Sequence, residues 1–149
     1  MSDFVFNAAR GRYAHYASLP GAADALVVVL LEAAGLEADV TLRDHDTLAS
    51  LLAGSSNEQT TMGRKTAAGT AVTVDDTTDS VSVDIGDVTW TSAAGNPVGK
   101  LLVCYDPDPG GGTNADVIPL SAHDFTITPD GADIIARIDS LGVIRESDT

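Results

Sequence analysis

The sequence has little of what several common classes of protein need. Cys104 is the only cysteine, so no internal disulfide can form, and a secreted domain built on a disulfide framework is excluded. Lysine and arginine together number eight against 22 aspartates and glutamates, which gives a net charge of −14. Because nucleic acids and anionic membranes are bound through basic surfaces, neither is expected as a partner.

Long apolar runs are also missing. The most continuous one, residues 25–31, is far shorter than the roughly 20 apolar residues of a membrane-spanning helix. The N-terminus lacks a basic stretch followed by an apolar one, so we expect no signal peptide and assembly in a cytoplasm. A length of 149 residues is that of one domain with a substantial core.

Residues 25–31 are the stretch around which we expect the fold to be organised. They place three adjacent valines among leucines and an alanine, between Asp24 and Glu32. A short, uninterrupted apolar run that is rich in β-branched residues predicts a strand buried on both faces. Residues 99–105 form a second, nearly continuous apolar run, which we predict to lie beside the first.

Other segments show the two-residue alternation that is typical of half-exposed strands. Val81, Val83 and Ile85 fall on one face of residues 80–85, with polar residues opposite. Further strands are predicted at residues 4–6, 70–74, 88–91, 117–120, 124–128, 134–138 and 143–144. Residues 129–131 are predicted to be a hairpin turn between two of these strands, although residues 132–141 could instead form a helix.

The best helical pattern covers residues 41–54. Thr41 or Asp44 can cap this helix, and Leu48, Leu51 and Leu52 share one face of it.

The predicted fold class is therefore mainly β, an antiparallel β-sandwich or barrel with one or two short helices. Residues 21–149 form a single β-rich domain in this interpretation. Residues 1–20 form an N-terminal arm, which is either part of the same domain or docks on a neighbouring subunit.

The N-terminal arm differs from the rest of the chain in composition. It holds more than half of the aromatic residues, and two arginines against one aspartate. Aromatic and arginine side chains anchor many protein interfaces. The residues predicted to contact another subunit are Phe4, Phe6, Arg10, Arg12, Tyr13 and Tyr16, and packing on the chain's own core is the alternative.

No arrangement of residues in the sequence predicts catalysis, so we do not expect an enzyme. Ser121, His123 and Asp124 could form a nucleophilic set on paper, but there is no Gly-x-Ser-x-Gly turn to expose the serine. His45 between two aspartates is typical of surface charge at the start of a helix. An enzyme such as a wall hydrolase would require His123, Asp124 and another carboxylate to converge in a cleft.

Metal and cofactor sites are not predicted within the chain. Residues 106–110 alternate aspartate with proline, but no glutamate closes the loop as a calcium site requires. A calcium site formed between two subunits is an alternative that one chain does not test. Cys104 is predicted to be a small core residue. Trp90 is predicted to lie in the core as well, with stacking on a sugar as the alternative.

Five segments, in order over most of the chain, carry a resemblance to a known family. They are residues 4–12, 25–31, 42–48, 99–106 and 118–125. These segments resemble small structural proteins from the virion gene clusters of tailed bacteriophages, especially phages of actinobacterial hosts. The shared patterns are structural and include no catalytic motif.

The resemblance implies a virion structural protein that binds the capsid surface and stabilises or decorates it. Its partners would be the major capsid protein, copies of itself in a homo-oligomer, or both, and its location would be the virion. The alternative is a receptor- or carbohydrate-binding module associated with the tail or neck. That alternative would use exposed aromatic residues near the acidic loops, with Trp90 and Tyr105 as candidates.

Overall fold

A computed structural model describes residues 2–147. Within them, three short α-helices lie among ten strands. The helices are α1 (Tyr13–Ser18), α2 (Asp39–Leu42) and α3 (Leu48–Leu52), and a single 3-10 turn spans Asn7–Ala9. The strands are β1 (Phe4–Val5), β2 (Ala25–Glu32), β3 (Lys65–Thr66), β4 (Ala71–Asp75), β5 (Ser80–Asp84), β6 (Val88–Trp90), β7 (Val98–Asp106), β8 (Ile118–Ile127), β9 (Ile134–Ala136) and β10 (Ile144–Ser147).

The strands form one central sheet and two smaller ones, all antiparallel. The central sheet has the order β1-β8-β7-β2-β3, a second sheet has the order β10-β5-β4, and β6 pairs with β9. The long strands β2 and β7 pair from Ala25 opposite Asp106 to Glu32 opposite Val98. The prediction that the two apolar runs are neighbours is therefore confirmed. The mainly β fold class is confirmed too, and no sheet in residues 2–147 closes into a barrel.

The core lies on both faces of the central sheet. Every residue from Leu26 to Leu31 in β2 is buried, as an uninterrupted apolar strand requires. Side chains alternate along β7 and β8, so Lys100 and Asp124 face α2, while Leu101 and Ser121 face the smaller sheets. Asp124 and Ser121 therefore lie on opposite faces of β8.

The predicted helix over residues 41–54 is wrong in its continuity. The structure has α2 and α3 instead, with a break between them. Thr47 is extended (φ −137°, ψ 158°), and its side chain accepts a hydrogen bond from the Ser50 backbone N–H, while the Ser50 hydroxyl interacts with the Thr47 backbone. This capping box begins a new helix at Leu48, and the polar residues before it have low helix propensity.

The predicted hairpin at residues 129–131 is also wrong. β8 is one strand of ten residues and pairs with β1 and β7. β9 pairs with β6 instead, with Trp90 opposite Ile134. The turn therefore carries the chain from one sheet to another, because the apolar residues of β9 are buried against a different layer. Residues 132–141 contain no helix, and the edge strand at Ile144 is present.

Within residues 2–147, no helix has both the length and the apolar character needed to cross a membrane.

Candidate functional site

The N-terminal arm packs on the domain of the same chain. The backbone N–H of Phe6 donates to the Leu120 carbonyl oxygen at 3.0 Å, and that of Asn7 donates to the Arg43 carbonyl oxygen at 2.9 Å. The Phe6 side chain is completely buried and Tyr13 is 5% exposed. Two of the six predicted interface side chains are therefore occupied by the chain's own core.

The other four predicted interface residues reach the surface to different extents. Phe4 and Tyr16 are half-buried, and Arg10 and Arg12 are exposed. Gly11, at φ +72°, lets the chain turn tightly between the two arginines. Within residues 2–147 neither guanidinium lies within 4.0 Å of a carboxylate, whereas Arg64, Lys100 and Arg137 are paired with acidic side chains. Whether this surface contacts a partner stays a prediction.

Tyr13 joins the arm to β10. Its hydroxyl donates to Glu146 Oε2 at 3.0 Å. Burial, and then the hydrogen bond and charge of Glu146, raise the pKa of Tyr13 to about 12. The neutral phenol is the form that the fold stabilises, so this stabilisation is complete below the ordinary pKa of 10.0 and is lost as the pH rises towards 12.

We expect a spectrophotometric titration of the folded protein to show a late tyrosine ionisation, near pH 12. Tyr13→Phe should remove this step and the accompanying alkaline loss of stability, because both arise from one phenol. Tyr16→Phe, in the same helix, is the control and should leave the step in place. The hydrogen bond to Asp24 also raises the pKa of Tyr105, so that tyrosine should still ionise late in both variants. An unchanged step near pH 12 in Tyr13→Phe would contradict the assignment.

The buried ammonium group of Lys100 binds the first residues of the arm. Lys100 has no exposed surface. Its Nζ donates to Asp124 Oδ1 at 2.7 Å and to the Ser2 carbonyl oxygen at 3.0 Å, and it lies 3.2 Å from Asp39 Oδ1. The ring centroid of Phe4 is 5.2 Å away, within the range of a cation–π interaction.

Asp39 completes this cluster and also binds the arm. Its Oδ2 accepts the backbone N–H of Ser2 at 2.7 Å, while its buried Oδ1 faces the ammonium without a hydrogen bond among the described groups. Burial alone would raise the pKa of Asp39, but the Ser2 N–H and the Lys100 ammonium outweigh burial and lower it. Asp39 is therefore ionised at neutral pH, and the cluster ties residues 2–4 to α2 and β8.

On the opposite face of β8, a serine, a histidine and an aspartate form a continuous chain of hydrogen bonds. Ser121 Oγ lies 2.9 Å from His123 Nε2, and His123 Nδ1 lies 3.2 Å from Asp3 Oδ2. Asp3 Oδ1 also accepts the backbone N–H of Asp124 at 2.8 Å. An ionised carboxylate only accepts hydrogen bonds, so His123 donates from Nδ1, and its Nε2 is left to accept the serine proton.

The pairing of β1 with β8 explains this arrangement. Val5 lies opposite Ser121 and Phe4 opposite Ala122, so Asp3 comes opposite His123. Ser121 and His123 are two residues apart in a strand and therefore share a face. The sequence paired Ser121 and His123 with Asp124, but Asp124 points to the other face and binds Lys100. The carboxylate beside His123 is that of Asp3, and not that of Asp124 as in the set considered and rejected from the sequence.

These three residues line a groove of about 450 Å³ between β8 and the segment that connects β9 to β10. We call it the β8 groove. Its apolar side chains include Phe125, Leu101, Ile138 and Val143, and its charged ones are Asp3, Asp139, Arg137 and Arg145. Asp124 borders the groove too, but its carboxylate binds Lys100. Ser121 is 1% exposed and lies at the bottom. Gly142, at φ +101°, brings the covering segment against Val83, whose carbonyl oxygen would be 2.6 Å from a Cβ there.

The other residues considered from the sequence, Trp90, His45 and Cys104, are held in the fold by burial or by pairing with a neighbouring side chain. Trp90 is 2% exposed, and its Nε1 donates to the Gly63 carbonyl oxygen at 3.0 Å, so it belongs to the core. His45 pairs with Glu37 at 2.9 Å rather than with the adjacent aspartates. Cys104 is buried, and burial raises the pKa of its thiol. Residues 2–147 contain no group of three or more side chains of the metal-binding types placed to hold an ion.

Sequence reasoning missed the roles of Lys100, Asp39 and Asp3. A lysine inside an apolar run is a signal for Lys100, because a buried ammonium needs acidic partners. Asp3 gives no such signal, since its partner His123 is 120 residues away. Only the register of β1 on β8 brings them together.

Comparisons with protein-family models, with curated proteins and with solved structures found no match to this chain.

Proposed function

We propose that the protein is a structural component of a bacteriophage virion that binds the capsid surface through its N-terminal arm. The resemblance described from the sequence suggests the assembly, and the surface of the arm suggests the point of attachment. The observation on which the proposal rests is the exposed pair Arg10 and Arg12, without acidic partners in residues 2–147 of a chain whose net charge is −14.

The arm presents this pair on a fixed support. Phe6 and Tyr13 flank the turn on either side, and both are anchored in the core. The backbone that carries the two arginines is therefore held in place by buried neighbours, which lowers the backbone entropy that binding must overcome. Half-buried Tyr16 follows on α1, where its backbone N–H donates to the Arg12 carbonyl oxygen at 3.0 Å, and can extend the contact.

The acidic remainder of the surface supports the same orientation. A protein that decorates a capsid lies close to its own copies, and like charges keep neighbouring copies soluble. Attachment through the arm directs the two arginines to the capsid and leaves acidic surface towards solvent. Complementary charge at such a contact mainly determines orientation and the rate of association.

The carbohydrate-binding alternative has less support because Trp90 is in the core. Tyr105 is half-buried, and its hydroxyl donates to Asp24 Oδ2 at 2.8 Å.

The experiment is cryo-electron microscopy of tailed-phage particles that contain this chain, compared with particles assembled with Arg10→Glu/Arg12→Glu. We expect density for the protein on the capsid with the arm at the contact. The double variant should reduce occupancy by at least about tenfold, because reversing two rim charges opposes the encounter and the bound state.

The matched control is Arg137→Glu/Arg145→Glu. It makes the same change in net charge at exposed arginines outside the arm, and it should leave occupancy unchanged. Equal loss in both double variants would mean that net charge, not the arm, governs binding. Density on the tail or neck, or full occupancy with the arm variant, would overturn the proposal.

A further inference from the structure

We propose that the β8 groove is an acyl-transfer site in which Ser121 attacks small, uncharged carboxylic esters. The inference is independent of virion attachment, since it does not involve Arg10 or Arg12, although Asp3 of the arm lines the groove. It also departs from the expectation, drawn from the sequence, that the chain is not an enzyme. That expectation depended on the absence of a converging set of groups, and the fold brings such a set together.

The geometry meets the requirements of an activated serine. A base must lie within about 2.6–3.2 Å of the hydroxyl, and a third group must orient that base. His123 Nε2 lies 2.9 Å from Ser121 Oγ, and Asp3 lies 3.2 Å from Nδ1 on the other side of the ring. Asp3 is itself held by the Asp124 N–H. The proton on Nδ1 leaves Nε2 free to remove the serine proton.

The groove indicates the class of substrate. Its volume of about 450 Å³ is within the range of small-molecule sites. Phe125, Leu101, Ile138 and Val143 give an apolar wall that suits a short acyl chain. The carboxylates of Asp3 and Asp139 and the guanidinium groups of Arg137 and Arg145 line the same space, so their charges nearly cancel and do not favour a strongly charged ligand.

The reaction balances without a cofactor. Ser121 Oγ bonds to the ester carbonyl carbon, and its proton passes to His123 Nε2. The bond to the leaving alcohol breaks, and that oxygen takes the proton from Nε2. A water then attacks the acyl group and gives a proton to Nε2. Finally the bond to Oγ breaks, Oγ recovers the proton, and a carboxylic acid leaves.

The roles of the side chains differ. Ser121 and His123 touch the reacting atoms, whereas Asp3 is a positioning residue that acts through His123. Negative charge on the tetrahedral oxygen needs a donor, and Arg137 and Arg145 are the cationic side chains that line the groove.

The test uses the full chain and two probes, a fluorophosphonate and 4-nitrophenyl butyrate. Mass spectrometry should find the phosphonate on Ser121, with fluoride released, and the ester should give a burst of nitrophenol equal to the amount of protein. Ser121→Ala should lose both, whereas Ser18→Ala, an exposed serine at the end of α1, should retain both. Thermal melting checks that each variant folds.

Three further variants separate a catalytic chain of hydrogen bonds from a structural one. His123→Gln should slow acylation by about 100-fold or more. Asp3→Asn should lower kcat with little change in KM, and Asp3→Glu should restore part of kcat, because a carboxylate can only accept a hydrogen bond from Nδ1–H, whereas an amide can also donate and favour the wrong tautomer. A role limited to folding would change stability without this pattern.

The proposal is overturned if the folded wild-type chain gives no adduct on Ser121. It is equally overturned if His123→Gln reacts as fast as the wild type. Because the first result concerns the unmodified protein, the test does not depend on whether a variant folds. Neither result bears on attachment through the arm.

Discussion

Lys100→Met is expected to destabilise the protein by about 2–3 kcal/mol, since it removes the buried ammonium that pairs with Asp39, 13% exposed, and Asp124, 39% exposed. Methionine has a similar volume, so the loss arises from charge and not from a cavity. Asp39 would be left with a buried carboxylate oxygen and Asp124 without its 2.7 Å hydrogen bond. Urea unfolding, followed by fluorescence of Trp90, gives the free energy of unfolding.

Lys65→Met is the matched control because Lys65 is the other lysine, half-buried at a sheet edge and without a carboxylate within 4.0 Å in the described part of the chain. We expect its effect to stay within about 0.5 kcal/mol. Adding Asp39→Asn to Lys100→Met should recover part of the loss, since it removes the unpaired charge. If Lys100→Met were as stable as Lys65→Met, the ammonium would contribute little to the fold.

The contribution of Asp39 also has a defined direction with pH. Its pKa is lowered in the folded state, so the carboxylate stabilises the protein above its ordinary pKa, and this contribution is lost as the pH falls through the folded value. The difference in stability between the wild type and Asp39→Asn should therefore shrink in acid. This behaviour follows from the same cluster and requires Lys100 to be present.

The second large effect concerns the arm. Phe6→Ala is expected to cost about 3–5 kcal/mol, as is typical when a fully buried phenylalanine is truncated and leaves a cavity. Phe6 has no exposed surface and forms an edge-to-face pair with Phe4, with ring centroids 5.3 Å apart. The arm would then be part of the cooperative fold, and chemical denaturation should show a single transition at lower urea.

Leu19→Ala provides the comparison within the same arm. Leu19 is 41% exposed, so its truncation should change stability by no more than about 0.5 kcal/mol. A small effect of Phe6→Ala, close to that of Leu19→Ala, would mean that the arm detaches without loss of the core. In that case Phe6 would again be a candidate for contact with a neighbouring subunit.

Several parts of the fold were determined by the sequence alone. The uninterrupted apolar runs of β2 and β7 have no polar face, so they could only become neighbouring strands covered on both sides. The strand β5 was likewise predicted from its local alternation of valine with polar residues. The mainly β class follows from these segments.

Boundaries and long-range partners were decided by tertiary structure. The helix predicted over residues 41–54 is divided because Thr47 caps a second helix, and β9 pairs with β6 because its buried residues fit another layer. Tertiary structure also decided the partners of Asp124 and His123, two neighbouring residues of β8. Alternation along the strand sends Asp124 to Lys100 and His123 to Asp3, and only the pairing of β1 with β8 supplies Asp3. Sequence periodicity reports which face a side chain occupies, whereas strand register determines which distant residue it meets.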